Sequence, residues 1–439
     1  MNLRALRVLF WGEPVGNLYQ YGFGVSMQTW FVADPAAKAD RLSLSFKTAD
    51  VASQTAFWAS HTNETQLQLR AAGGRLPPFF QNLLPEGVLR AHIEQLRGCA
   101  KDDHLDMLAA CGSDLPGAVA VQPLDLSLAE VGHIVTQNND ALEVTVSAQP
   151  LADAISISGV QPKLALVRRP DGRYIARQRN AQGRHIIAKL PAVQTPFLPE
   201  VEHLSLGLAR LAGASVVDAT LAPMTALVDD PAYDGLGEGS HFLAVDRFDR
   251  DDALGYHGRI HAEDFAQVLT IDPSEKYTHP KATYGDIGKT LALLDQPETA
   301  IKELWRRLLI NDLLGNYDAH LKNFGLLYRP GQSPVLSPAY DVVAYSAYYP
   351  GRGHALKFTA DTIAKDAITP TVLRSFANAV SVVPEAFLRI LGRETVERAM
   401  DLWPAQIAQA ELPSGLQARL LKHLHSRALT KRFQKITGH

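Results

Sequence analysis

The segment from Asn316 to Phe324 places a carboxylate, Asp318, five positions before an amide, Asn323. A short loop of this kind can present a proton acceptor to an attacking hydroxyl group and a neutral oxygen ligand to a metal ion. The same spacing is common in ordinary polar loops, where Asp and Asn serve as turn residues. The spacing alone therefore leaves open both a catalytic loop and a simple turn.

The chain beyond this loop is expected to supply a second carboxylate. A strand over residues 324–328, a turn at Pro330-Gly331 and a return segment at 334–336 predict a hairpin that places Asp341 beside Asp318. In protein kinases, two Asp and one Asn in this relation serve as the base and the metal ligands around the phosphates. The alternative is that Asp341 merely ends a strand. Two carboxylates and an amide favour a site for a hard cation.

Groups that could bind phosphate precede a predicted strand at residues 164–167. The turn 158–160, Ser-Gly-Val, could point backbone N–H groups toward a phosphate, and Lys163 adds positive charge. The alternative interpretation is a surface turn.

A lysine, Lys189, lies inside the apolar strand 186–190. A buried lysine needs an anionic partner, and either a nucleotide phosphate or Glu202 on the following helix could provide it. The second pairing is the lysine–glutamate pair of kinase small lobes. The alternative is a lysine whose ammonium group reaches solvent at a strand edge.

The elements that position these residues follow from periodicity. Leu6–Phe10 and Val15–Tyr19 predict two strands, and the alternation in Leu42–Phe46 predicts a third, half-buried strand. Residues 79–117 are predicted to be helical with breaks at 85–87 and 112–114. The polar stretch 127–150 has no clear period, and we place a domain boundary there.

The rest of the chain begins with strands and becomes mostly helical. Strands are predicted at 164–167, 174–176, 185–190, 216–221 and 242–245, with a helix over 201–211 between them. Beyond Arg250, an apolar stripe over 301–309 has the spacing of one helical face. The predicted fold is α+β in three parts: an N-terminal subdomain (1–125), a mixed α/β lobe (126–250) and an α-helical lobe (251–439).

Composition excludes several classes of protein. Of 439 residues, 46% are hydrophobic and 20% charged, which is enough to bury a core and excludes wholesale disorder. A formal charge of −3 excludes nucleic-acid binding by bulk charge alone, although a local basic face remains open. We expect no membrane span and no signal peptide. Two cysteines without a CxxC partner fit a reducing cytosol, so we expect a cytoplasmic protein.

Two other groups of polar residues receive simpler interpretations. His257 and His261 are predicted to be surface histidines, because no zinc-site arrangement accompanies them. The basic stretch from Leu416 to Ile436 predicts a solvated helix, with contact to a partner or to DNA as the alternative.

Taken together, these residues resemble the HipA family, the serine/threonine kinase toxins of bacterial HipBA-type toxin–antitoxin systems. The resemblance covers most of the chain. Residues 42–45, 79–85 and 112–119 are similar to the family's N-terminal subdomain, 156–163 to its phosphate-binding loop, 187–191 to its ATP-lysine strand, 245–250 to its hinge, and 318–323 with 340–341 to its catalytic and metal-binding segments.

The resemblance implies a two-lobed protein-kinase-like fold with a mixed α/β small lobe that carries the extra N-terminal subdomain, a mostly α-helical large lobe, and ATP in the cleft. It implies that Asp318 is the catalytic base and that Asn323 and Asp341 hold Mg²⁺. Lys189 would meet the phosphates and form a structural ion pair with Glu202. The implied ATP-binding residues are Ser158, Gly159, Val160, Gln161, Pro162, Lys163, Lys189, Asp246, Arg247, Phe248, His320, Leu321, Lys322, Asn323, Tyr340 and Asp341.

The resemblance also implies regulation and partners. Ser156 matches the serine whose autophosphorylation switches the family's enzymes off, and Ser158 offers a second such serine. The implied partners are a HipB-like DNA-binding antitoxin, DNA mainly through that antitoxin, and an aminoacyl-tRNA synthetase as protein substrate. A small-molecule or lipid kinase and a non-catalytic corepressor that binds the antitoxin and its operator remain alternatives. The corepressor is disfavoured by four intact residues, Asp318, Asn323, Asp341 and Lys189.

Overall fold

The computed structural model describes residues 2–127, 143–151, 154, 156–157, 161–176, 183–228, 239–251, 253, 258–351, 353–362 and 367–431. The chain divides into two compact units. The first comprises Met1–Gln161, Arg177–Ala181 and Asp249–Pro273, and the second comprises Pro162–Ala176, Gln182–Phe248 and Ser274–His439. Most of the predicted boundary stretch 127–150 lies outside the described residues, and the division at residues 125 and 250 stays a prediction.

The strands of the described residues are β1 Asn2–Phe10, β2 Glu13–Gly22, β3 Gln28–Ala33, β4 Arg70–Ala72, β5 Val119–Pro123, β6 Glu143–Val144, β7 Lys163–Arg168, β8 Tyr174–Ala176, β9 Arg184–Lys189, β10 Ala219–Pro223, β11 His241–Asp246, β12 His261–Asp264, β13 Gly325–Tyr328 and β14 Val335–Leu336. The helices are α1 Val51–Ala59, α2 Pro78–Gln81, α3 Gly87–Arg97, α4 His104–Ala110, α5 Leu198–Leu211, α6 Phe265–Val268, α7 Tyr284–Leu291, α8 Pro297–Leu314, α9 Pro370–Val380, α10 Glu385–Gln409 and α11 Ser414–Ser426. None of the helices within these described ranges is long and apolar enough to cross a bilayer.

The first unit is built on a sheet of strand order β4-β3-β2-β1-β5, with β6 pairing parallel to β1. The two strands predicted at Leu6–Phe10 and Val15–Tyr19 are confirmed: they lie within β1 and β2, which pair antiparallel across the two-residue loop Trp11-Gly12. Both loop residues have positive φ, at 50° and 84°, which matches the twist of the flanking strands. The predicted helical stretch 79–117 is confirmed in part: α2, α3 and α4 are helical, but residues 98–103 and 111–117 are not.

The predicted strand over Leu42–Phe46 is wrong, because Leu44–Phe46 is a 3₁₀ turn. Ser43 Oγ donates to Glu263 Oε2 at 2.6 Å, and the Leu44 N–H donates to Glu263 Oε1 at 3.0 Å. Leu42 and Phe46 are both fully buried. The alternation therefore reflects a capped turn whose two ends enter the core, rather than one face of a strand.

The predicted surface position of His261 is also wrong, whereas His257 lies outside the described residues. His261 is fully buried on β12. Its Nε2 donates to the Leu42 carbonyl at 2.8 Å and its Nδ1 accepts from the Ala118 N–H at 3.4 Å. These two partners assign the neutral tautomer. Burial lowers the pKa of His261 to about 4.

We expect His261 to make stability fall on mild acidification. The pKa of His261 in the folded chain lies below the ordinary histidine value of 6.5, so the unfolded chain binds the extra proton first. The free energy of unfolding is therefore highest above about pH 6.5 and falls toward pH 4, by about 2 kcal/mol between pH 7 and pH 5. Urea titrations of the wild type and of His261→Gln, at both pH values, measure this change. An equal pH dependence in the two proteins would contradict it.

The second unit contains an antiparallel sheet of order β10-β11-β9-β7-β8. The strands predicted at 164–167 and 174–176 are confirmed as β7 and β8, which pair antiparallel as a hairpin. Alternate residues of β9 face opposite ways. Ile186 and Ala188 join a small core with Phe242, whereas Ile187 joins the larger core formed with α5, α8, α10 and α11.

The helical part of the second unit is organised around α8, and the predicted apolar stripe over 301–309 is confirmed as its buried face. The predicted strand and return segment after the catalytic-loop candidate are confirmed as the antiparallel pair β13 and β14. The predicted C-terminal helix begins at Ser414 and is helical to Ser426, and residues 432–436 of that prediction lie outside the described residues.

Candidate active site

Helix α8 ends at a residue that only glycine accommodates well. Gly315 has φ +68° and ends the helix in the left-handed conformation. A Cβ atom there would lie 2.7 Å from Ser346 Cβ and 2.9 Å from Tyr317 Oη. The turn sends the chain directly into the loop 316–323.

Hydrogen bonds within that loop fix its two functional candidates relative to each other. The Asn323 Nδ2 group donates to the Asp318 carbonyl at 2.8 Å, and the His320 N–H donates to the same carbonyl at 2.7 Å. The Asp318 N–H donates to Asn316 Oδ1 at 3.3 Å. Because the amide nitrogen of Asn323 is engaged with Asp318, its Oδ1 is the atom left for another ligand.

A tyrosine that the sequence did not indicate contacts the Asp318 carboxylate. Tyr277 Oη donates to Asp318 Oδ1 at 2.5 Å, and its ring lies edge-on to His320 with centroids 4.8 Å apart. Burial raises the pKa of Asp318, the Tyr277 hydrogen bond opposes that rise, and the negative charge of Asp341 adds to it. Tyr277 lies 41 residues before Asp318, and no local pattern predicts the contact.

Asp341 follows the β13–β14 hairpin, as predicted, and its backbone is held in an unusual conformation. Its φ of +52° lies in the left-handed region, which Asp tolerates better than most residues. Ala339, two residues before Asp341, makes two backbone hydrogen bonds: its N–H donates to the Ser215 carbonyl at 2.8 Å, and its carbonyl accepts from the Val217 N–H at 3.0 Å. These bonds anchor the segment that carries the carboxylate.

Lys189 joins Asp341 to the small lobe. As the last residue of β9 it faces α5, where its Nζ donates to Glu202 Oε1 at 2.5 Å and also contacts Asp341 Oδ1. The side chain of Lys189 is 7% exposed, that of Glu202 1% and that of Asp341 25%. The alternative of a lysine reaching solvent at a strand edge is therefore wrong.

The charges in this cluster favour a protonated lysine beside an ionised Asp341. Burial opposes the charge of Lys189, but the carboxylates of Asp341 and Glu202 outweigh it and raise the pKa of the lysine. Burial likewise opposes ionisation of Asp341, but Lys189 and Lys163 hold its pKa below the usual range. Burial raises the pKa of Glu202 despite the neighbouring lysine.

Lys163 adds a second positive charge to the cluster. It pairs directly with Lys189 across β7 and β9, and it is 4% exposed. Its charge lowers the pKa of both Asp341 and Asp318. Two buried lysines thus lie near three carboxylates, those of Asp341, Glu202 and Asp318. A phosphate group here would therefore need a metal ion as well as the lysines to offset the negative charge.

The predicted hinge residues lie at the end of β11. The N–H of Asp246 donates to the Asp218 carbonyl at 2.8 Å, and that of Arg247 donates to the His185 carbonyl at 2.9 Å. Phe248 packs on Tyr340, with ring centroids 5.4 Å apart. The structure thus places Phe248 and Tyr340 beside each other.

The other residues predicted for ATP binding or autophosphorylation are divided between the two units, and some lie outside the described residues. Ser158, Gly159 and Val160 lie outside the described residues. Ser156 and Gln161 belong to the first unit, and Pro162 belongs to the second. His320, Leu321 and Lys322 are buried, and the Lys322 carbonyl accepts from Tyr340 Oη at 2.9 Å.

The donor chemistry of the cluster fits Mg²⁺. Within the described part of the chain, no three His, Cys, Asp or Glu side chains lie together as a metal site, so the protein alone would supply only part of the coordination shell. Asp341 and Asn323 offer carboxylate and amide oxygens, which suit a hard cation that takes its other ligands from phosphates and water.

The second unit, with a mixed α/β small lobe and a mostly helical large lobe, has a protein-kinase-like fold. Two family models match the chain: the HipA N-terminal domain over residues 6–122 and the HipA-like C-terminal domain over residues 155–403. The protein belongs to the HipA family.

Individual relatives agree with this assignment. The chain is 32% identical over 442 residues to the protein named "Putative kinase Y4dM" of Sinorhizobium fredii, covering 98% of this chain and 99% of that one. It is 26% identical over 297 residues to the serine/threonine-protein kinase toxin HipA of Shewanella oneidensis, covering 62% of this chain and 63% of that protein.

A solved structure shows the same fold. It is a chain of the Shewanella oneidensis complex of the toxin–antitoxin system HipA, HipB and its operator DNA. The match has a TM-score of 0.62 at 20% identity and covers 97% of this chain and 98% of that chain.

Proposed function

We propose that this protein is an ATP- and Mg²⁺-dependent serine/threonine protein kinase that acts as the toxin of a type II toxin–antitoxin system. The observation that carries the proposal is the contact of Lys189 with both Glu202 and Asp341, in the same unit as the loop that holds Asp318 and Asn323. Membership of the HipA family supports the same conclusion.

In the proposed reaction, the oxygen of the acceptor hydroxyl attacks the γ-phosphorus of ATP. The bond between the γ-phosphorus and the β–γ bridging oxygen breaks, and ADP leaves with that oxygen. Asp318 takes the hydroxyl proton, and its raised pKa suits a group that must accept one. Lys189 stabilises charge on the phosphates. Mg²⁺, held by Asn323 and Asp341, would supply charge neutralisation on the phosphate oxygens.

Adenine recognition is proposed at the end of β11. The amide hydrogens of Asp246 and Arg247 are already used in the sheet. The groups available to adenine are therefore the carbonyl of Asp246 and the backbone of Phe248. The Phe248–Tyr340 pair would border the nucleotide.

The proposed partners follow from the family. A HipB-like antitoxin, and DNA reached mainly through it, are supported by the match to a chain solved with HipB and operator DNA. An aminoacyl-tRNA synthetase as the phosphorylated substrate is proposed from the family resemblance alone. We propose a cytoplasmic location because the chain has two cysteines without a CxxC partner, which fits a reducing compartment.

The nearest alternatives are a small-molecule or lipid kinase and a non-catalytic corepressor. The full chain, incubated with Mg²⁺ and γ-labelled ATP together with a cell extract, distinguishes the first from a protein kinase by the fraction that takes up the label. Calorimetry with ATP tests the second. Label in protein supports our proposal, label in lipid or metabolites contradicts it, and absence of ATP binding favours the corepressor.

We expect self-phosphorylation on Ser156, Ser158 or both. Ser156 is 2% exposed and its Oγ donates to the Leu83 carbonyl, so its modification requires that this contact open. A phosphate adds a charge of about −1.5 to −2, which would repel bound ATP and switch the enzyme off. Mass spectrometry after incubation with ATP and Mg²⁺ measures the phosphate on Ser156 and Ser158. Phosphate on neither serine of an active enzyme would refute the switch, and equal phosphate in Asp318→Asn would refute self-modification.

A further inference from the structure

The hydroxyl group of Tyr277 lies against the proposed catalytic base, and the proposed reaction gives it no part. Tyr277 Oη donates to Asp318 Oδ1 at 2.5 Å. Among the described residues, the other donors to Asp318 reach its backbone carbonyl, and none reaches Oδ2. Because Oδ1 is already occupied, Oδ2 is the oxygen left to take the proton of an acceptor hydroxyl.

Neighbouring groups hold the Tyr277 ring in place. His320 packs edge-on against it, with ring centroids 4.8 Å apart, and Lys276 Nζ lies 5.7 Å from the ring centroid. The backbone here forms a turn, since the N–H groups of the two residues after Tyr277 both donate to the Glu275 carbonyl at 3.0 Å. A ring with fixed neighbours therefore presents the hydroxyl to Asp318, and side chains locked in this way can orient a reacting group.

The same segment of the chain also holds the backbone beside Asp318. Tyr284, at the start of α7, donates from its Oη to the Ala319 carbonyl at 3.1 Å. Tyr284 is fully buried, whereas Tyr277 is 37% exposed. A hydroxyl at the surface can exchange its partner for water, so its contact adds less to the stability of the fold than the buried contact of Tyr284 does. The Tyr277 contact therefore bears mainly on where the Asp318 carboxylate points.

We propose that Tyr277 is a positioning residue for phosphoryl transfer, whose hydroxyl fixes the rotation of the Asp318 carboxylate and turns Oδ2 toward the acceptor hydroxyl. This role rests on the proposed kinase function and adds a residue to that site. During transfer, the acceptor proton moves to Asp318 Oδ2, while Tyr277 keeps its own proton and its hydrogen bond to Oδ1. Without the tyrosine hydroxyl, the carboxylate is free to rotate and meets the acceptor less often, which lowers the rate.

The variant Tyr277→Phe tests this role, because it removes the hydroxyl and keeps the ring. We expect kcat for transfer from γ-labelled ATP to fall about tenfold or more, the size of one hydrogen bond to a charged group. The KM for ATP, and the Kd of ATP measured by calorimetry, should stay unchanged. The matched control is Tyr349→Phe, which removes the hydroxyl of an exposed tyrosine in the same unit and should leave kcat and KM as in the wild type.

Two results of this comparison would overturn the positioning role. One is an unchanged kcat, and the other is a raised kcat, which would show that the hydroxyl blocks the base. A wild type without phosphoryl transfer would contradict the proposed function and the role of Tyr277 with it. An active wild type matched in kcat by Tyr277→Phe would contradict the role of Tyr277 alone.

A double-mutant cycle separates positioning of Asp318 from a general effect on the fold. Asp318→Ala has no carboxylate for Tyr277 to orient, and it keeps the loop hydrogen bonds made by the Asp318 backbone. In this background, Tyr277→Phe should lower the residual single-turnover rate by less than about twofold. A loss by the same factor in both backgrounds would contradict positioning through Asp318. Urea unfolding of each variant checks that the fold is kept.

Discussion

Asp318→Asn is expected to lower the rate of phosphoryl transfer from ATP by a factor of about 10² to 10⁴, the usual contribution of general-base catalysis. The substitution keeps the size of the side chain and an oxygen that can accept from Tyr277 Oη. It removes the group that takes the proton from the acceptor hydroxyl. Initial rates with labelled ATP measure the loss, and circular dichroism checks the fold.

The control for this variant is Asp401→Asn, which removes an exposed carboxylate from α10 in the same unit. Its rate should equal that of the wild type. A near-normal rate of phosphoryl transfer by a folded Asp318→Asn protein would contradict the assignment of Asp318 as the base.

Asp341→Asn is expected to abolish the Mg²⁺-dependent rate even at saturating ATP. Asp341 is proposed to hold the metal, and it also contacts Lys189. Asn suits the test better than Ala, since Asn tolerates the left-handed backbone at φ +52° and keeps the shape of the side chain. Glu202 remains to pair with Lys189, so the fold should persist.

A titration of the rate with Mg²⁺ measures this effect. The wild type should show no transfer without added divalent cation and a saturable rise with it, and the variant should show no rise. Normal turnover of Asp341→Asn, or of the wild type in a chelator, would show that the proposed metal site is wrong.

Local patterns were enough to predict the hairpin that carries Asp341. The strand at 325–328, the turn after it and the return at 335–336 depend on residues close in sequence. Contact between Lys189 and Glu202 was one of the alternatives that the sequence left open, because a buried lysine needs an anionic partner but the sequence alone does not select it.

Contacts between distant residues could not be predicted in this way. The turn at Leu44–Phe46 depends on Glu263, 220 residues after Ser43. His261 is buried against Leu42 and Ala118, which lie 219 and 143 residues before it in the sequence. Tyr277 has no signal in its neighbourhood that indicates a contact with Asp318.

The most direct test of the central claim is phosphoamino-acid analysis of protein labelled by the wild type with γ-labelled ATP and Mg²⁺. Our account predicts phosphoserine or phosphothreonine in the protein fraction, with none formed by Asp318→Asn under the same conditions. A folded wild-type protein that binds ATP but labels only lipid or small molecules, or that labels protein equally well as Asp318→Asn, would contradict it.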